Sequence, residues 1–492
     1  MFRSVTPESC GIDSARVLDF LEYLEDSGLT THSILMMKDD AIFAEGYWKP
    51  FDKDFCHRMY SQTKSYVGVA IGLLAEEGKL SLDDRLYDYF KDELESEPSE
   101  YLKEQTIRET LTMTTATTKY VSWFTSAAKD RVQHYFAYNE ANKPAGTTWH
   151  YDSGGSEVLG ILVERLSGKT LFEYLYEKVF CHLGTFKTAE ILKARGGDSW
   201  ADSALVCTPR DMASFARFVM HEGTVDGKYI MNAEYLRAAV SPQRDNCALG
   251  FENVNAQGYG YQIWCQKDGF AFRGMGDQDT LVIPAKKLIF VITSDNQGFA
   301  PSRLLILQNF RHMVAKHASE SPLPENPEAY GRLMKFMDAL KLASVSGKKY
   351  VPFAEEIRDK EFIADENKLG IEKFSLHFDG ENGGELRYVN KTGAKVLPFK
   401  MCENAFTTFP EEGYSDGMGG VRTKGFFYKC ASAAAWREEK KLMLRVRIID
   451  RYFGNLCIVF SFKNPNLCVV SASKAAEDFL NEYEGEFLAR AK

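Results

Sequence analysis

The chain has 492 residues, of which 45% are hydrophobic and 26% are charged, and its formal net charge is −9. A chain of this length and composition forms a globular protein with two or three domains and a large buried core. The acidic balance argues against a nucleic-acid partner, because proteins that bind nucleic acids usually carry basic patches. No apolar run approaches the roughly 18 residues of a membrane-spanning helix, and no apolar signal segment follows the N-terminus. We therefore expect a cytoplasmic protein without a membrane partner, and we expect its ten scattered cysteines to be reduced.

The first eighty residues show a helix, a hairpin and a second helix. Four apolar residues recur at helical spacing within residues 13–27, and Gly28 follows as a residue that commonly ends helices. Residues 34–37 and 41–44 are apolar and flank a Lys-Asp-Asp turn, a pattern that predicts a β-hairpin. The next helix is predicted over residues 61–77.

Helical patterns dominate the chain from there to about residue 222, and strands follow. Thr208-Pro209-Arg210-Asp211 is a strong helix start, because threonine caps a helix, proline fits its first position and aspartate fits its third. Short apolar segments separated by turn residues then predict strands at residues 261–265, 269–272, 280–283 and 288–293. A helix over about residues 301–317 closes this region. The order predicts an α+β fold in which the terminal elements share one antiparallel sheet and a helical cluster is inserted between them.

A β-rich C-terminal region follows a segment with the composition of a linker. Residues 319–330 contain three prolines and three glutamates, and one more helix is predicted over residues 328–344. Glycine-punctuated strands fill about residues 371–471, and a short helix is predicted near residues 474–483. We divide the chain into a first domain at residues 1–318, a linker and connecting helix at residues 319–345, and a β-rich accessory domain at residues 346–492.

The main chemical signal is Ser61-Gln62-Thr63-Lys64 at the start of a predicted helix. One helical turn separates positions i and i+3, so the Lys64 ammonium can reach the Ser61 hydroxyl. Serine is a weak nucleophile until a base takes its proton, and a helix N-terminus offers positive charge and N–H groups to a developing oxyanion. Alone, this tetrapeptide is a weak indicator, because Ser-x-x-Lys also occurs by chance as an exposed serine with a solvated lysine.

Two longer stretches support a catalytic interpretation. The residues from Arg58 to Ser65, with the Glu-Gly-Lys-Leu-Ser-Leu-Asp-Asp sequence that ends at Asp84, resemble the nucleophile helix of the class C β-lactamase-like and penicillin-binding-protein-like serine hydrolases. The residues from Leu111 to Thr114 are similar to the next landmark of that superfamily, although Thr115-Ala116 stands where Ser-Gly is common. The resemblance covers about residues 5–318. It implies a β-lactamase/transpeptidase-like domain, with an antiparallel sheet flanked by helices and a helical subdomain.

A third stretch concerns proton transfer. Pro144-Ala145-Gly146-Thr147 followed by Tyr151-Asp152-Ser153 resembles the family element that carries a second proton-handling residue. The resemblance assigns this role to Tyr151, and either Lys64 or Tyr151 can then be the base that activates Ser61. Ser153 stands where asparagine is usual and would offer a shorter hydrogen-bonding group to a substrate. His150, beside Tyr151, is expected to be structural.

The last motif is Phe272-Arg273-Gly274-Met275-Gly276-Asp277-Gln278, which resembles the third element of the branch that contains esterases and 6-aminohexanoate-oligomer hydrolases. The resemblance implies that the backbone N–H groups of Ser61 and Met275 form an oxyanion hole. It also implies a set of substrate-binding residues, namely Ser153, Phe272, Arg273, Gly274 and Gln278. Asp277 departs from the glycine that is usual at its position.

The residue at position 272 bears on the substrate. Phe272 occupies the place of a lysine or histidine that commonly grips the carboxylate of β-lactams and related peptides. Arg273 is adjacent on the strand, so its side chain is expected to point to the other face. A literal Lys391-Thr392-Gly393 lies in the C-terminal region, and we interpret it as an ordinary turn between strands. The missing cation favours a neutral or differently charged ester or amide over a β-lactam.

Other catalytic classes lack their signatures. There is no G-x-S-x-G elbow, no H-E-x-x-H and no Cys/His spacing typical of zinc, so no metal site is predicted. Several aromatic residues are candidates for an acyl pocket, although core packing is the expected role for most of them: Trp123, Phe124, Trp149, Tyr261 and Trp264.

The motifs together predict a serine hydrolase that cleaves a small ester or amide through an acyl-enzyme on Ser61. The reaction would require no metal or organic cofactor. The expected partner is a small-molecule substrate, and association into homo-oligomers is left open. Two alternatives also stay open: a β-lactamase or D-amino-acid peptidase, and a non-catalytic binding protein on the same fold.

Overall fold

The computed structural model describes residues 2–119, 121, 123, 127–246, 256–414, 422–475 and 483–492. The chain divides into two compact units, the first comprising Met1–Lys341 and the second beginning at Leu342. In the part of the chain that is described, no helix combines the length and the apolar character that crossing a membrane requires.

The first unit contains most of the helices. They are α1 (Ser14–Asp26), α2 (Thr63–Glu76), α3 (Glu100–Glu104), α4 (Ile107–Leu111), α5 (Arg131–Gln133), α6 (Ser153–Ser167), α7 (Leu171–Leu175), α8 (Cys181–Leu183), α9 (Pro209–Met220), α10 (Ala233–Ala239), α11 (Ser302–Asn309) and α12 (Pro327–Ala339). The predicted capping box is present at α9, where the Thr208 hydroxyl accepts from the Asp211 N–H and the Asp211 carboxylate accepts from the Thr208 N–H.

The strands of the first unit are mostly short. They are β1 (Arg3–Ser4), β2 (Thr31–Lys38), β3 (Ala41–Tyr47), β4 (His57–Arg58), β5 (Thr117–Lys119), β6 (Glu140–Ala141), β7 (Glu190–Ile191), β8 (Leu205–Cys207), β9 (Thr224–Val225), β10 (Lys228–Tyr229), β11 (Ala256–Tyr259), β12 (Trp264–Gln266), β13 (Gly269–Gly274), β14 (Gln278–Ile283) and β15 (Leu288–Ser294).

The main sheet of the first unit has the order β1-β3-β2-β15-β14-β13-β12-β11. Its neighbouring strands are antiparallel except for the pair β1 and β3. Alternate residues enter two cores, so that Phe272 packs into the core that contains α2 while Ala271 packs into the core that contains α1. The N-terminal hairpin thus lies next to the C-terminal strands of the unit, which confirms the predicted α+β fold.

The segment from residue 319 to residue 341, predicted as a linker and its helix, belongs to the first unit. The Ser319 N–H donates to the Gly11 carbonyl at 2.8 Å, and the Leu323 N–H donates to the Glu8 carbonyl at 2.8 Å. Helix α12 buries Leu333 in the core that contains α1. Prolines prevent regular structure at the start of this segment, yet its backbone donors find acceptors in the N-terminal segment.

The second unit is a β-rich domain, as predicted. Its elements are α13 (Phe353–Ile357), β16 (Phe362–Ala364), β17 (Lys373–Asp379), β18 (Gly383–Asn390), β19 (Gly393–Met401), β20 (Ala405–Tyr414), β21 (Arg422–Glu438), β22 (Lys441–Ile449), β23 (Phe453–Asn464), β24 (Leu467–Ala475) and β25 (Gly485–Ala491).

The strands of the second unit form one antiparallel sheet in the order β19-β18-β17-β16-β25-β24-β23-β22-β21-β20. β19 also pairs in parallel with β21, at Lys400 with Ala433, which closes the sheet on itself. Lys391 and Thr392 form the turn between β18 and β19, where the Asn390 side chain accepts from the Thr392 N–H, and Gly393 begins β19. Most of the short helix predicted near residues 474–483 lies outside the described residues, and β24 continues to Ala475.

Candidate active site

Ser61 lies in a 3₁₀ turn, Tyr60–Gln62, that immediately precedes α2. The sequence predicted that the helix starts at Ser61, but the α-helical hydrogen-bond pattern begins two residues later. Tyr60 has a φ of 49°, a left-handed conformation that is costly for a residue with a bulky side chain. The Gln62 amide fixes the turn to β14, because its Nε2 donates to the Gln278 carbonyl at 2.9 Å. The nucleophile candidate therefore sits on a strained and anchored turn.

Lys64 contacts Ser61, as the Ser-x-x-Lys spacing predicted. Its side chain is 1% exposed, and its Nζ donates to Ser61 Oγ at 3.0 Å. The same nitrogen donates to the backbone carbonyl of Asp202 at 2.7 Å and lies 3.5 Å from Asp202 Oδ2. The ammonium thus has three oxygen partners in a nearly dry environment, which fixes its direction toward Ser61.

Sequence reasoning missed Asp202. This residue follows Trp200-Ala201 in an irregular segment with no recognisable motif, and 138 positions separate it from Lys64. Local pattern therefore contained no signal for it. Arg131 and Glu157, which lie close to Asp202, were missed as well. Glu157 did carry a signal, since a lone acid stands on the apolar, buried side of helix α6.

Tyr151 covers the lysine from the solvent side. Its side chain is 37% exposed, and its ring centre lies 5.1 Å from Lys64 Nζ. The ring also stacks on Trp264, with centroids 5.7 Å apart and an interplanar angle of 23°. Asp152 follows as the N-cap of α6 and accepts from the Gly155 N–H at 3.1 Å. This cap fixes the backbone that carries Tyr151, and the half-buried Ser153 begins the helix beside it.

The loop with Thr115 in place of the usual serine supports the same region. Thr115 Oγ1 donates to Asp152 Oδ2 at 2.6 Å. The His150 ring lies within hydrogen-bond distance of Thr115 Oγ1 through Nε2 and of Lys143 Nζ through Nδ1. Burial lowers the pKa of His150, which favours its neutral form. These contacts link His150 to the supporting loop, in keeping with the structural role expected for it.

The third motif lies at the end of β13, against the chain that enters the nucleophile turn. A Cβ atom on Gly274 would come within 2.1 Å of the Met59 carbonyl oxygen, so only glycine permits this approach. Met275 follows directly with its side chain 39% exposed. Asp277 has a φ of 67°, and its carboxylate accepts from Asn296 Nδ2 at 3.0 Å. Aspartate tolerates this conformation better than most residues, which explains how it replaces glycine here.

The residues predicted to bind substrate have different surroundings. The Phe272 ring is fully buried, 5.5 Å from the Phe215 ring, and the Gln278 amide is buried with its Nε2 donating to the Met275 carbonyl at 3.2 Å. Both side chains therefore pack inside the protein, and Gln278 holds the backbone of Met275. Arg273 faces away from the Phe272 core, as the strand alternation predicted, and its guanidinium lies 4.5 Å from the centre of the Trp264 ring.

The aromatic candidates separate into two groups. Trp149 and Trp264 lie beside Tyr151, with their own ring centroids 5.9 Å apart. Tyr261 packs against Tyr235, and its hydroxyl accepts from Arg108 Nη1 at 2.9 Å. Trp123 is covered by the guanidinium of Arg131. Phe124 lies outside the described residues.

The described residues contain no group of three or more His, Cys, Asp or Glu side chains placed to hold a metal ion. The arrangement around Ser61 is instead a buried cation, a neighbouring phenol and a strand end that approaches the nucleophile. Such a set can take a proton from serine and stabilise negative charge on an attacked carbonyl.

The chain resembles known proteins in sequence. The model of the family described as Beta-lactamase matches residues 20–309. A 6-aminohexanoate-dimer hydrolase of Paenarthrobacter ureafaciens is 23% identical over 269 residues, which cover 51% of this chain and 68% of that protein. An uncharacterized protein of Alkalihalophilus pseudofirmus is 24% identical over 241 residues, which cover 44% of this chain and 66% of that protein.

Solved structures share the fold. A Bacillus anthracis protein described as a candidate 6-aminohexanoate-dimer hydrolase superposes with a TM-score of 0.52 at 20% identity, covering 66% of this chain and 89% of that one. A Bacteroides dorei protein described as a candidate β-lactamase superposes with a TM-score of 0.51 at 16% identity, covering 66% of this chain and 99% of that one. Since the family model spans more than half of the residues, the chain belongs to the β-lactamase family of serine hydrolases.

Proposed function

We propose that the protein hydrolyses a small ester or amide through an acyl-enzyme on Ser61. The observation that carries this proposal is the 3.0 Å hydrogen bond between buried Lys64 Nζ and Ser61 Oγ. A buried lysine directed at a serine beside an open face is the arrangement that an activated nucleophile needs. Tyr151 lies over the same ammonium and supplies a second group that can hold the proton.

The steps follow from these positions. Ser61 Oγ attacks the carbonyl carbon as the deprotonated member of the Lys64–Tyr151 pair, a neutral amine or a phenolate, takes its proton, and the pair then passes a proton to the departing oxygen or nitrogen. The backbone N–H groups of Ser61 and Met275 donate to the oxyanion of the tetrahedral intermediate. A water molecule then attacks the acyl-enzyme, and the same two side chains return a proton to Ser61. The close approach of Gly274 to the Met59 carbonyl supports the role of Met275.

The substrate class follows from the surroundings of Ser61. The family position of a carboxylate-binding cation is taken by Phe272, which is buried, so an anion at this point would meet an apolar core. The aromatic rings of Trp149, Tyr151 and Trp264 form an apolar cluster beside Lys64 instead. These features support a neutral or differently charged ester or amide. A relative of this chain is named a 6-aminohexanoate-dimer hydrolase, so a linear amide is also a candidate substrate.

A β-lactamase or D-amino-acid peptidase is the second candidate. One observation favours it. The Arg273 guanidinium covers the Trp264 ring, and Trp264 in turn stacks on Tyr151, so this chain of contacts connects a cation to the proposed site. Hydrolysis of a chromogenic cephalosporin distinguishes the two candidates. Turnover of the cephalosporin with no turnover of p-nitrophenyl esters would favour the second.

The first experiment is intact mass spectrometry after exposure to a fluorophosphonate probe. Wild-type protein is expected to gain a single adduct, and Ser61→Ala is expected to gain none. Ser81→Ala, which changes an exposed serine just beyond α2, is the matched control and should keep the adduct. An adduct that persists in Ser61→Ala, or a folded wild type that gains none, would overturn the proposal. A panel of p-nitrophenyl esters and anilides then ranks esters against amides.

A further inference from the structure

A line of polar side chains continues from Lys64 into the interior, beyond what the proposed reaction uses. Asp202 lies beside Lys64, Glu157 of α6 lies beside Asp202, and Arg131 of α5 lies beside Glu157. The Glu157 side chain is 1% exposed and that of Arg131 is 7% exposed. Burying ionisable groups costs free energy because their charged forms lose hydration, so a line of them next to the proposed nucleophile requires a physical explanation.

Asp202 and Glu157 contact each other through both backbone and side chain. The Asp202 N–H donates to Glu157 Oε2 at 2.9 Å, which holds the two residues side by side. Two ionised carboxylates have only acceptors, so neither can donate to the other unless one of them carries a proton. Glu157 Oε1 and Asp202 Oδ1 are buried carboxyl oxygens that receive no hydrogen bond from the described part of the chain. One shared proton therefore satisfies both groups.

The surrounding charges decide where that proton resides. Burial raises the pKa of Glu157 well above its usual range, and the negative charge of Asp202 adds to this effect. Burial alone would raise the pKa of Asp202 as well, but the charges of Lys64, Arg131 and Arg58 outweigh it and lower that pKa. These two opposite directions favour Glu157 over Asp202 as the group that carries the proton. Tyr151 faces Lys64 from the other side.

We propose that Asp202 and Glu157 are positioning residues, a carboxyl pair that shares one proton and presents a single negative charge to Lys64, holding its ammonium against Ser61. This inference rests on the proposed function of Ser61. The ionised oxygen, Asp202 Oδ2, lies 3.5 Å from Lys64 Nζ and is tied to α6 through Glu157. With two protons the pair would be neutral, and the ammonium would lose its counter-charge. With none, the charges of Lys64 and Arg131 would balance the two carboxylates, but Glu157 Oε1 and Asp202 Oδ1 would still lack a hydrogen-bond donor.

The shared proton is tested without reference to activity. The infrared difference spectrum between wild type and Glu157→Gln at pH 7 is expected to contain the C=O stretch of one protonated carboxyl group. Glu164→Gln is the matched control, because Glu164 lies two turns later on α6 and its carboxylate accepts from Ser199 Oγ. That variant should leave the band in place. A difference spectrum without the band would overturn the inference. If a variant does not fold, the C=O band of the protonated carboxyl group can be followed in the wild-type protein instead, by raising the pH until the shared proton is lost.

The positioning role is tested by the rate at which a fluorophosphonate labels Ser61. Asp202→Asn removes the negative charge and is expected to slow labelling by about 10- to 100-fold, as for the loss of a hydrogen bond to a charged group. Glu157→Gln can still donate to Asp202 and accept from its N–H, so we expect a decrease of only about threefold. A merely structural role would make both amides equally tolerated or equally damaging.

The outcomes separate this inference from the proposed function. Labelling of Asp202→Asn at the wild-type rate, or Glu157→Gln as slow as Asp202→Asn, would overturn the positioning role while Ser61 remains the nucleophile. Wild-type protein that is never labelled would overturn the proposed function, and the infrared band would still decide whether the two carboxyl groups share a proton. Glu164→Gln should be labelled at the wild-type rate in the same series.

Discussion

The indole of Trp264 stacks on the phenol of Tyr151, with ring centroids 5.7 Å apart. Trp264 comes from β12, whereas Tyr151 stands directly before α6, so this contact joins the sheet to the helical part of the first unit. The stack restricts an exposed tyrosine whose ring must stay over the Lys64 ammonium. A tyrosine with few other contacts would otherwise sample several rotamers.

Loss of this stack should slow the reaction without unfolding the protein. Trp264→Ala is expected to lower kcat for a p-nitrophenyl ester by about 3- to 10-fold, the kinetic equivalent of one aromatic pair. Trp264→Phe keeps a ring at this position and should recover most of the rate. Equal rates in wild type and Trp264→Ala would show that Lys64 alone orients Tyr151.

The two proton-handling residues should have large effects. Lys64→Ala and Tyr151→Phe are each expected to reduce kcat by on the order of 10²- to 10⁴-fold, the range for a general acid or base. Because such residues act as a unit, the double variant should be far less impaired than the product of the two effects. Steady-state kinetics on one ester measures all three variants. Multiplicative effects would mean that the two side chains act independently.

Gly274→Ala tests the oxyanion hole. The added Cβ atom would meet the Met59 carbonyl at 2.1 Å, so the end of β13 must move away from the nucleophile turn. We expect a fall in kcat of on the order of 10²- to 10³-fold, the cost of losing one oxyanion donor. Gly331→Ala is the matched control, because a Cβ there meets nothing within 4 Å and α12 favours alanine. Activity that survives Gly274→Ala would argue against Met275 as a donor.

His57 should make the protein less stable in acid. Burial lowers the pKa of His57 to about 3, from an ordinary value of 6.5. Between these values the unfolded chain binds a proton that the folded chain does not, so the free energy of unfolding decreases as the pH falls. The contribution approaches about 1.4 kcal/mol per pH unit in this window.

Urea denaturation of wild type and His57→Gln at pH 4 to 7 measures this contribution. The variant should lose part of the acid-side slope, while its stability near pH 7 reports the lost contacts of the imidazole with Thr293 and Phe51. Identical slopes would mean that His57 becomes protonated in the folded protein at moderately acidic pH.

Sequence patterns were sufficient wherever the decisive contacts are local. The Ser61–Lys64 pair lies within one helical turn, and the capping box at Thr208 involves residues three positions apart, so spacing alone predicts both. Short apolar segments between turn residues likewise predicted strands of the first unit, and glycine-punctuated segments predicted those of the second. The turn at Lys391-Thr392-Gly393 was predictable from its flanking strand patterns and its hydrogen-bonding asparagine.

Only the tertiary structure decided the rest. The left-handed Tyr60, the counter-charge from Asp202 and the stack of Trp264 on Tyr151 depend on segments that are distant in the chain. The prolines and glutamates of residues 319–330 suggested a linker, and backbone hydrogen bonds to the N-terminal segment attach this segment to the first unit. The sequence by itself thus determined the Ser61–Lys64 pair and the helix that carries it, through short-range geometry. Tertiary packing determined which buried charged residues surround Ser61 and Lys64. The sequence did not predict these residues, because long-range contacts produce no periodic pattern in a single sequence.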